Sequence, residues 1–154
     1  MKIFNKLFRN KIYQGEYVYL KEDYRTSEKT AYDGVPTIYY NIFLISNNDK
    51  VGKIELRLTA DGDDYYYGHI GYNIYREFRG NNYAYSACKI IFDIAKNEFN
   101  FNELIITCSP ENIASYKTLQ KLEGELIETV DVPKYHSLYR LGETKKHIFR
   151  YKLI

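Results

Sequence analysis

The chain has 154 residues, a formal net charge of +2, 45% hydrophobic and 27% charged residues. That length fits one domain with a core of its own. The balance excludes a disordered chain and a membrane bundle, and so small a charge argues for no nucleic acid partner.

Ile3, Phe4, Leu7 and Phe8 recur at helical spacing with Lys2, Lys6, Arg9 and Lys11 between them. The run is too short and interrupted for a signal peptide or a spanning helix. It reads as a short helix or strand lead-in packed on the domain, with a membrane-surface or partner-binding helix as the sharper alternative. Residues 16–21 read as a first strand. Residues 23–36 are polar, with turns at Asp33-Gly34 and Pro36 and at most a short helix. Residues 37–46 and 51–59 form a hairpin about Asn47-Asn48-Asp49. In its second strand Val51, Lys53, Glu55 and Arg57 alternate with Gly52, Ile54, Leu56 and Leu58, so one face is buried and the other wet. The acidic run 61–64 is a solvated turn, lacking the rest of a calcium loop.

Residues 67–75 read as a strand, with Ile70, Tyr72 and Ile74 on one face and His69, Gly71, Asn73 and Tyr75 on the other. Residues 82–97 carry the helical stripe Ala84, Ala87, Cys88, Ile91, Phe92 and Ala95. Residues 104–108 read as a short apolar strand without alternation, as in a central strand buried on both faces. Ser109-Pro110-Glu111-Asn112 opens a second helix to Leu122, with Gly124 as its cap. Strands follow at 125–131 and 148–153, separated by a long polar loop at 132–146 of the kind that is functional or poorly ordered. A single domain of mixed α+β class results, a sheet covered by helices. Cys88 and Cys108 show no disulfide framework or metal spacing. They read as buried thiols of a reducing, cytoplasmic compartment. The 18 tyrosines suit strand and rim packing better than stacking on bases or sugars.

The chemistry concentrates between the fourth strand and the first long helix, in Arg79-Gly80-Asn81-Asn82-Tyr83-Ala84. Glycine and asparagine let the backbone turn tightly and expose its N–H groups at a helix N-terminus, where phosphate is favoured. Arg79 adds a full charge. The alternative is an ordinary strand–turn–helix connection.

This segment resembles the pyrophosphate motif of the GNAT (Gcn5-related N-acetyltransferase) superfamily, Gln/Arg-x-x-Gly-x-Gly/Ala. Arg79 takes the first position and Ala84 the last, with Asn82 in place of the middle glycine. Ile70-Gly71-Tyr72-Asn73-Ile74 is similar to the family's fourth strand, with Arg76 at its usual proline. Asn112-Ile113-Ala114-Ser115 is similar to its Asn-x-x-Ser segment, and Glu123 departs from the Leu-Gly-Phe or Leu-Gly-Gly that follows. The resemblance runs from about residue 51 onward.

It implies a GNAT-like, mostly antiparallel sheet flanked by helices, with a splayed pair of parallel strands at the cofactor site. It implies acetyl-CoA as co-substrate, without metal. Backbone N–H groups of Arg79, Gly80, Asn81, Asn82, Tyr83 and Ala84 would hold the coenzyme A pyrophosphate. The backbone of Ile74 and Tyr75 would pair with pantetheine, Asn112 would bond that arm, and Ser115 would lie near it. Strand amides near Ile74 would polarise the thioester. The acceptor would be an amine of a small molecule or a protein N-terminus, with no nucleic acid and no membrane partner; a homodimer is compatible.

The family's general-acid tyrosine falls at Leu119, and Tyr116 is one turn away. Tyr139 in the late loop is the substitute candidate. His69 is the candidate base, with a hydrogen-bonded strand histidine as the preferred plainer reading. Glu55 is the second candidate, against a solvated strand face. Rival functions are a catalytically silent acyl-CoA sensor and a tyrosine-rich glycan or nucleic-acid module.

Overall fold

Alternating β-branched and aromatic residues build the first half of the chain as an antiparallel meander. The computed structural model describes residues 11–31 and 33–154; the amphipathic run from Ile3 to Phe8 lies outside the described residues. Strands β1 (Ile12–Gln14), β2 (Val18–Arg25), β3 (Thr37–Leu44), β4 (Lys50–Arg57) and β5 (Ile70–Ile74) pair in sequence order. Asn48 adopts φ 64° in the β3–β4 turn, and Asn47 Oδ1 accepts from the Asp49 N–H at 2.9 Å. A 3-10 helix at Gly62–Tyr66 replaces the simple turn expected there.

The wet face of β4 is only partly wet. Lys53 is exposed, but Val51 and Arg57 are buried. The Arg57 guanidinium reaches Asp33 at 2.8 Å and Asp64 at 3.2 Å, so burial of its charge is compensated by two acidic partners distant in sequence.

Helix α1 (Tyr83–Phe99) lays Ala87, Cys88, Ile91, Ile94 and Ala95 into the core beneath this sheet. The core also takes Leu20, Ile38, Ile42, Ile54 and Leu56 from the meander. Strand β6 (Glu103–Cys108) opens a second sheet, helix α2 (Ile113–Lys121) follows, and β7 (Glu125–Asp131) and β8 (Lys145–Lys152) complete the order β6-β8-β7. The even burial expected of β6 is an alternation instead, with Leu104, Ile106 and Cys108 inward. The left-handed residue after α2 is Glu123 at φ 65°, not Gly124. Gly124 is needed for another reason: a Cβ there would come within 2.4 Å of the Tyr151 ring.

The late loop holds a short helix, α3 (Ser137–Arg140). Tyrosine hydroxyls and His136 fasten this region and β7 to the 3-10 helix. Tyr135 donates to Asp63 at 2.8 Å, Tyr65 to Glu128 at 2.6 Å, and His136 Nε2 bonds the Asp63 carbonyl at 2.8 Å. These tyrosines serve the rim.

The fold is mixed α+β, antiparallel sheets flanked by helices, as expected. An isolated bridge of antiparallel pattern at Gly68–Ile106 joins the two sheets. Beyond it no ladder joins β5 to β6 among the described residues, so the expected splayed pair opens without a parallel ladder. No helix among the described residues is long and apolar enough to cross a membrane.

Candidate active site

The chain leaves β5 through a 3-10 turn (Arg76–Phe78) and enters α1 through two left-handed residues, Gly80 at φ 83° and Asn82 at φ 61°. Asn82 is the N-cap residue, yet its side chain makes no capping bond. Its carbonyl accepts from the Ser86 N–H at 3.1 Å. The first N–H groups of α1 therefore have no acceptor within the helix and aim at the space in front of it. Asn81 Nδ2 closes the loop on the Phe78 and Arg79 carbonyls at 3.0 and 3.2 Å.

Antiparallel pairing decides which backbone groups of β5 face the gap. Tyr75 N–H donates to Val51 O at 2.8 Å, and Arg57 N–H donates to His69 O at 2.7 Å. The alternation then turns the backbone of Asn73 and Gly71 toward β4, and that of Tyr72 and Ile74 away from it, into the gap. The Ile74 carbonyl accepts from Arg79 Nε at 2.9 Å, which folds the arginine back over the strand end. Both backbone groups of Tyr75 are committed inside the protein, its carbonyl accepting from the Phe78 N–H at 2.9 Å.

Across the gap, Asn112 Oδ1 caps α2 by accepting from the Ser115 N–H at 3.1 Å. Ser115 Oγ lies 2.8 Å from Tyr72 Oη. Burial, and then the nearby Cys88, push the Tyr72 phenol up to about 12, against hydrogen bonds from Ser115 and Thr118 that pull it down. A cavity of about 440 Å³ runs between these walls. Of the predicted cofactor residues, Ile74, Arg79, Gly80, Asn82, Tyr83, Ala84, Asn112 and Ser115 line it; Tyr75 and Asn81 do not. Tyr72, Lys117, Thr118 and Lys121 also line it, and the sequence pattern gave none of them a role in the site.

A second cavity, of about 400 Å³, lies against the sheet at β3, β4 and β5. Tyr72 and Asn73 line both cavities, so the two meet at β5. Glu55 lies in the second one, across Gly71, where a Cβ would stand 2.7 Å from Glu55 Oε1. Burial raises the Glu55 carboxyl above its ordinary value, opposed by Arg57 and assisted by Asp33. Tyr24 and Tyr39 stack beside it with ring centroids 4.4 Å apart. A larger cavity of about 600 Å³ lies between β1 and α1 and contains none of the predicted site residues.

The family model for the GNAT acetyltransferase domain matches residues 15–125. The chain belongs to the GNAT acetyltransferase family. A curated relative, the uncharacterized N-acetyltransferase YnaD of Bacillus subtilis (strain 168), is 34% identical over 53 residues, covering 34% of this chain and 31% of YnaD. The match thus spans about a third of that relative. A GNAT-family acetyltransferase of Bacillus anthracis shares the fold at TM-score 0.68 and 15% identity, over 92% of this chain and 98% of its own. The ribosomal L7/L12 α-N-protein acetyltransferase RimL, solved with coenzyme A, does so at TM-score 0.67 and 12% identity, over 93% and 98%.

Within this GNAT domain two of the three catalytic candidates from the sequence, His69 and Tyr139, line neither of the cavities that meet at β5, whereas Glu55 lines one. His69 pins the narrow end of the gap. Its N–H donates to Ile105 O at 2.7 Å, and its Nδ1 accepts from the Ile105 N–H at 2.9 Å. Burial lowers its pKa. Tyr139 sits in α3. Leu119 is fully buried in the core, and Tyr116 packs on His147 and Phe149. Both cysteines are free and buried. Burial pushes Cys88 up to about 12 and Cys108 to about 11, so neither offers a ready thiolate.

The left-handed Asn82 gives a direct probe of whether this loop holds phosphate. A β-branched residue is strained at φ 61° by about 1–2 kcal/mol. Asn82→Val is expected to weaken coenzyme A binding about tenfold by calorimetry, and Asn82→Gly to preserve it. Equal affinity in all three proteins would remove the pyrophosphate from this loop.

Proposed function

We propose that the protein transfers the acetyl group of acetyl-CoA to a primary amine of a small molecule or a protein N-terminus. The observation that carries this reading is the meeting of two cavities at β5, one backed by a helix N-terminus and the other holding Glu55. The first cavity would take coenzyme A. Free N–H groups at the start of α1 suit its pyrophosphate. The gap-facing backbone of Tyr72 and the Ile74 N–H would pair with pantetheine, a role the resemblance gave to Ile74 and Tyr75. Asn112 keeps its Nδ2 donors for the same arm once Oδ1 is spent on capping.

The acceptor would enter from the sheet face. Its ammonium would give a proton to Glu55 and attack the thioester carbonyl as the free amine. The new C–N bond forms, the C–S bond breaks, and the thiolate takes a proton from Tyr72 Oη. The surplus proton on nitrogen restores Tyr72, leaving an amide, the free thiol, and one proton that Glu55 returns to solvent. Gap-facing N–H groups of β5 would polarise the carbonyl. The high pKa of both cysteines favours this direct attack over an acyl-cysteine intermediate. RimL supports a protein α-amine as one acceptor class, by its description as an α-N-protein acetyltransferase. The buried free thiols fit a reducing compartment.

One observation favours a second reading, an acyl-CoA sensor. The position of the family's general acid is Leu119, sealed in the core. Two measurements separate the readings. Acetyl-CoA at a hundred times its Kd should stabilise the protein by about 2.7 kcal/mol, and thiol release should appear with a member of an amine panel. Stabilisation without thiol release on any amine leaves the sensor. No stabilisation at saturating acetyl-CoA removes both.

A further inference from the structure

We propose that Lys117 and Lys121 form a phosphomonoester subsite that binds the 3′-phosphate of coenzyme A. This rests on the acetyl-CoA reading above. Ala114, Lys117, Thr118 and Lys121 stand at i, i+3, i+4 and i+7 on α2, and all line the cavity in front of α1. On that reading the chemical end of the cavity is at Tyr72, whose hydroxyl lies 2.8 Å from Ser115 Oγ. Lys121 is about 9 Å further along the helix axis than Ser115, by the rise of 1.5 Å per residue. The lysines therefore lie toward the nucleotide end.

A second contact holds Lys121 there. Lys121 Nζ sits 4.5 Å from the centre of the Tyr85 ring, and Lys89 Nζ approaches the same ring at 5.3 Å. The ring face attracts both ammonium groups, which fixes positive charge between the first turns of α1 and the last turn of α2. Among the described residues, no ion pair engages Arg79, Lys117, Lys121 or Lys89. Like charges gathered without a counter-ion repel, and an anion would relieve that repulsion.

Charge decides which anion. The pyrophosphate is a diester with two negative charges. The partial charge of the α1 N-terminus and the Arg79 guanidinium already answer much of it. Two further lysines exceed its need. A phosphomonoester carries about −1.5 to −2 at neutral pH, which they match. The plainer alternative is that Lys121 only complements the C-terminal dipole of α2. That role predicts no ligand preference.

The test compares coenzyme A with 3′-dephospho-coenzyme A by calorimetry on the full chain at fixed ionic strength. The wild-type protein is expected to bind coenzyme A about tenfold more tightly, with the preference shrinking as salt rises. Lys117→Gln together with Lys121→Met should lower coenzyme A affinity to that of the dephospho form and leave the dephospho affinity unchanged. Equal wild-type affinity for both ligands overturns the subsite and leaves the acetyl-CoA reading intact. If neither ligand binds, that reading falls and the subsite with it. The wild-type comparison needs no variant, so misfolding of the double variant cannot obscure it.

Discussion

Glu55→Gln is expected to lower the rate of acetyl transfer by about 10²–10³-fold, with the affinity for acetyl-CoA unchanged. The side chain lies across Gly71 in the second cavity, which no residue from 79 to 84 lines, so its loss would remove the proposed base without touching the proposed phosphate loop. Glutamine keeps the volume and still fits over Gly71. The pH profile fixes the sign. Burial raises the Glu55 carboxyl above its ordinary 4.5. The base form grows as pH rises through that raised value, so kcat climbs there and then levels. The climb should vanish in Glu55→Gln. A variant that keeps both the rate and the acid limb would exclude Glu55 as the base.

The two halves of this site differ in how far the sequence discloses them. The coenzyme half was legible because it is local. Gly80 and Asn82 are residues that tolerate left-handed backbone, and a regular apolar stripe begins at once behind them, so a loop and a helix start could be read together. Asn112 was legible as the start of α2 for the same reason, and the structure makes it the cap. The acceptor half depends on strand register. Glu55 meets Gly71, and Tyr39 meets both Tyr24 and Glu55, only after four strands have paired. No window of sequence contains that arrangement.

The fold shows the same division. The β3–β4 hairpin follows from alternation around Asn47-Asn48-Asp49, and α1 from its stripe. The strand β1 is three residues long and carries too little pattern to read. The strand β8 begins at Lys145, earlier than its apolar residues suggested, because Lys146 is buried in an ion pair with Glu143 at 2.8 Å. A charge at a buried position masks a strand until its partner is known. Alternation puts Arg57 on the wet face of β4 for the same reason, since Asp33 and Asp64 come from other segments.

Tyr72→Phe tests the other proton. The resemblance implies a general acid on the second helix, where this chain has Leu119 at zero exposure and Tyr151 donating to its carbonyl at 2.7 Å. Tyr72 reaches the same wall from the opposite side, through Ser115 at 2.8 Å. A phenol near 12 stays protonated at neutral pH, yet can still give its proton to a thiolate as the C–S bond breaks. Phenylalanine retains the ring and removes only the hydroxyl, so the fold should survive and kcat should fall about 10²-fold. The KM for acetyl-CoA should change little, because the proton moves only in the transition state. A purely structural hydroxyl would raise KM through a displaced Ser115 and leave kcat alone. Acyl donors with more acidic thiols separate these cases further. A better leaving group needs less help from an acid, so the deficit of Tyr72→Phe should shrink as thiol acidity rises. A deficit independent of the leaving group would place Tyr72 among the residues that shape the cavity and return the search for the acid to the acceptor side of β5.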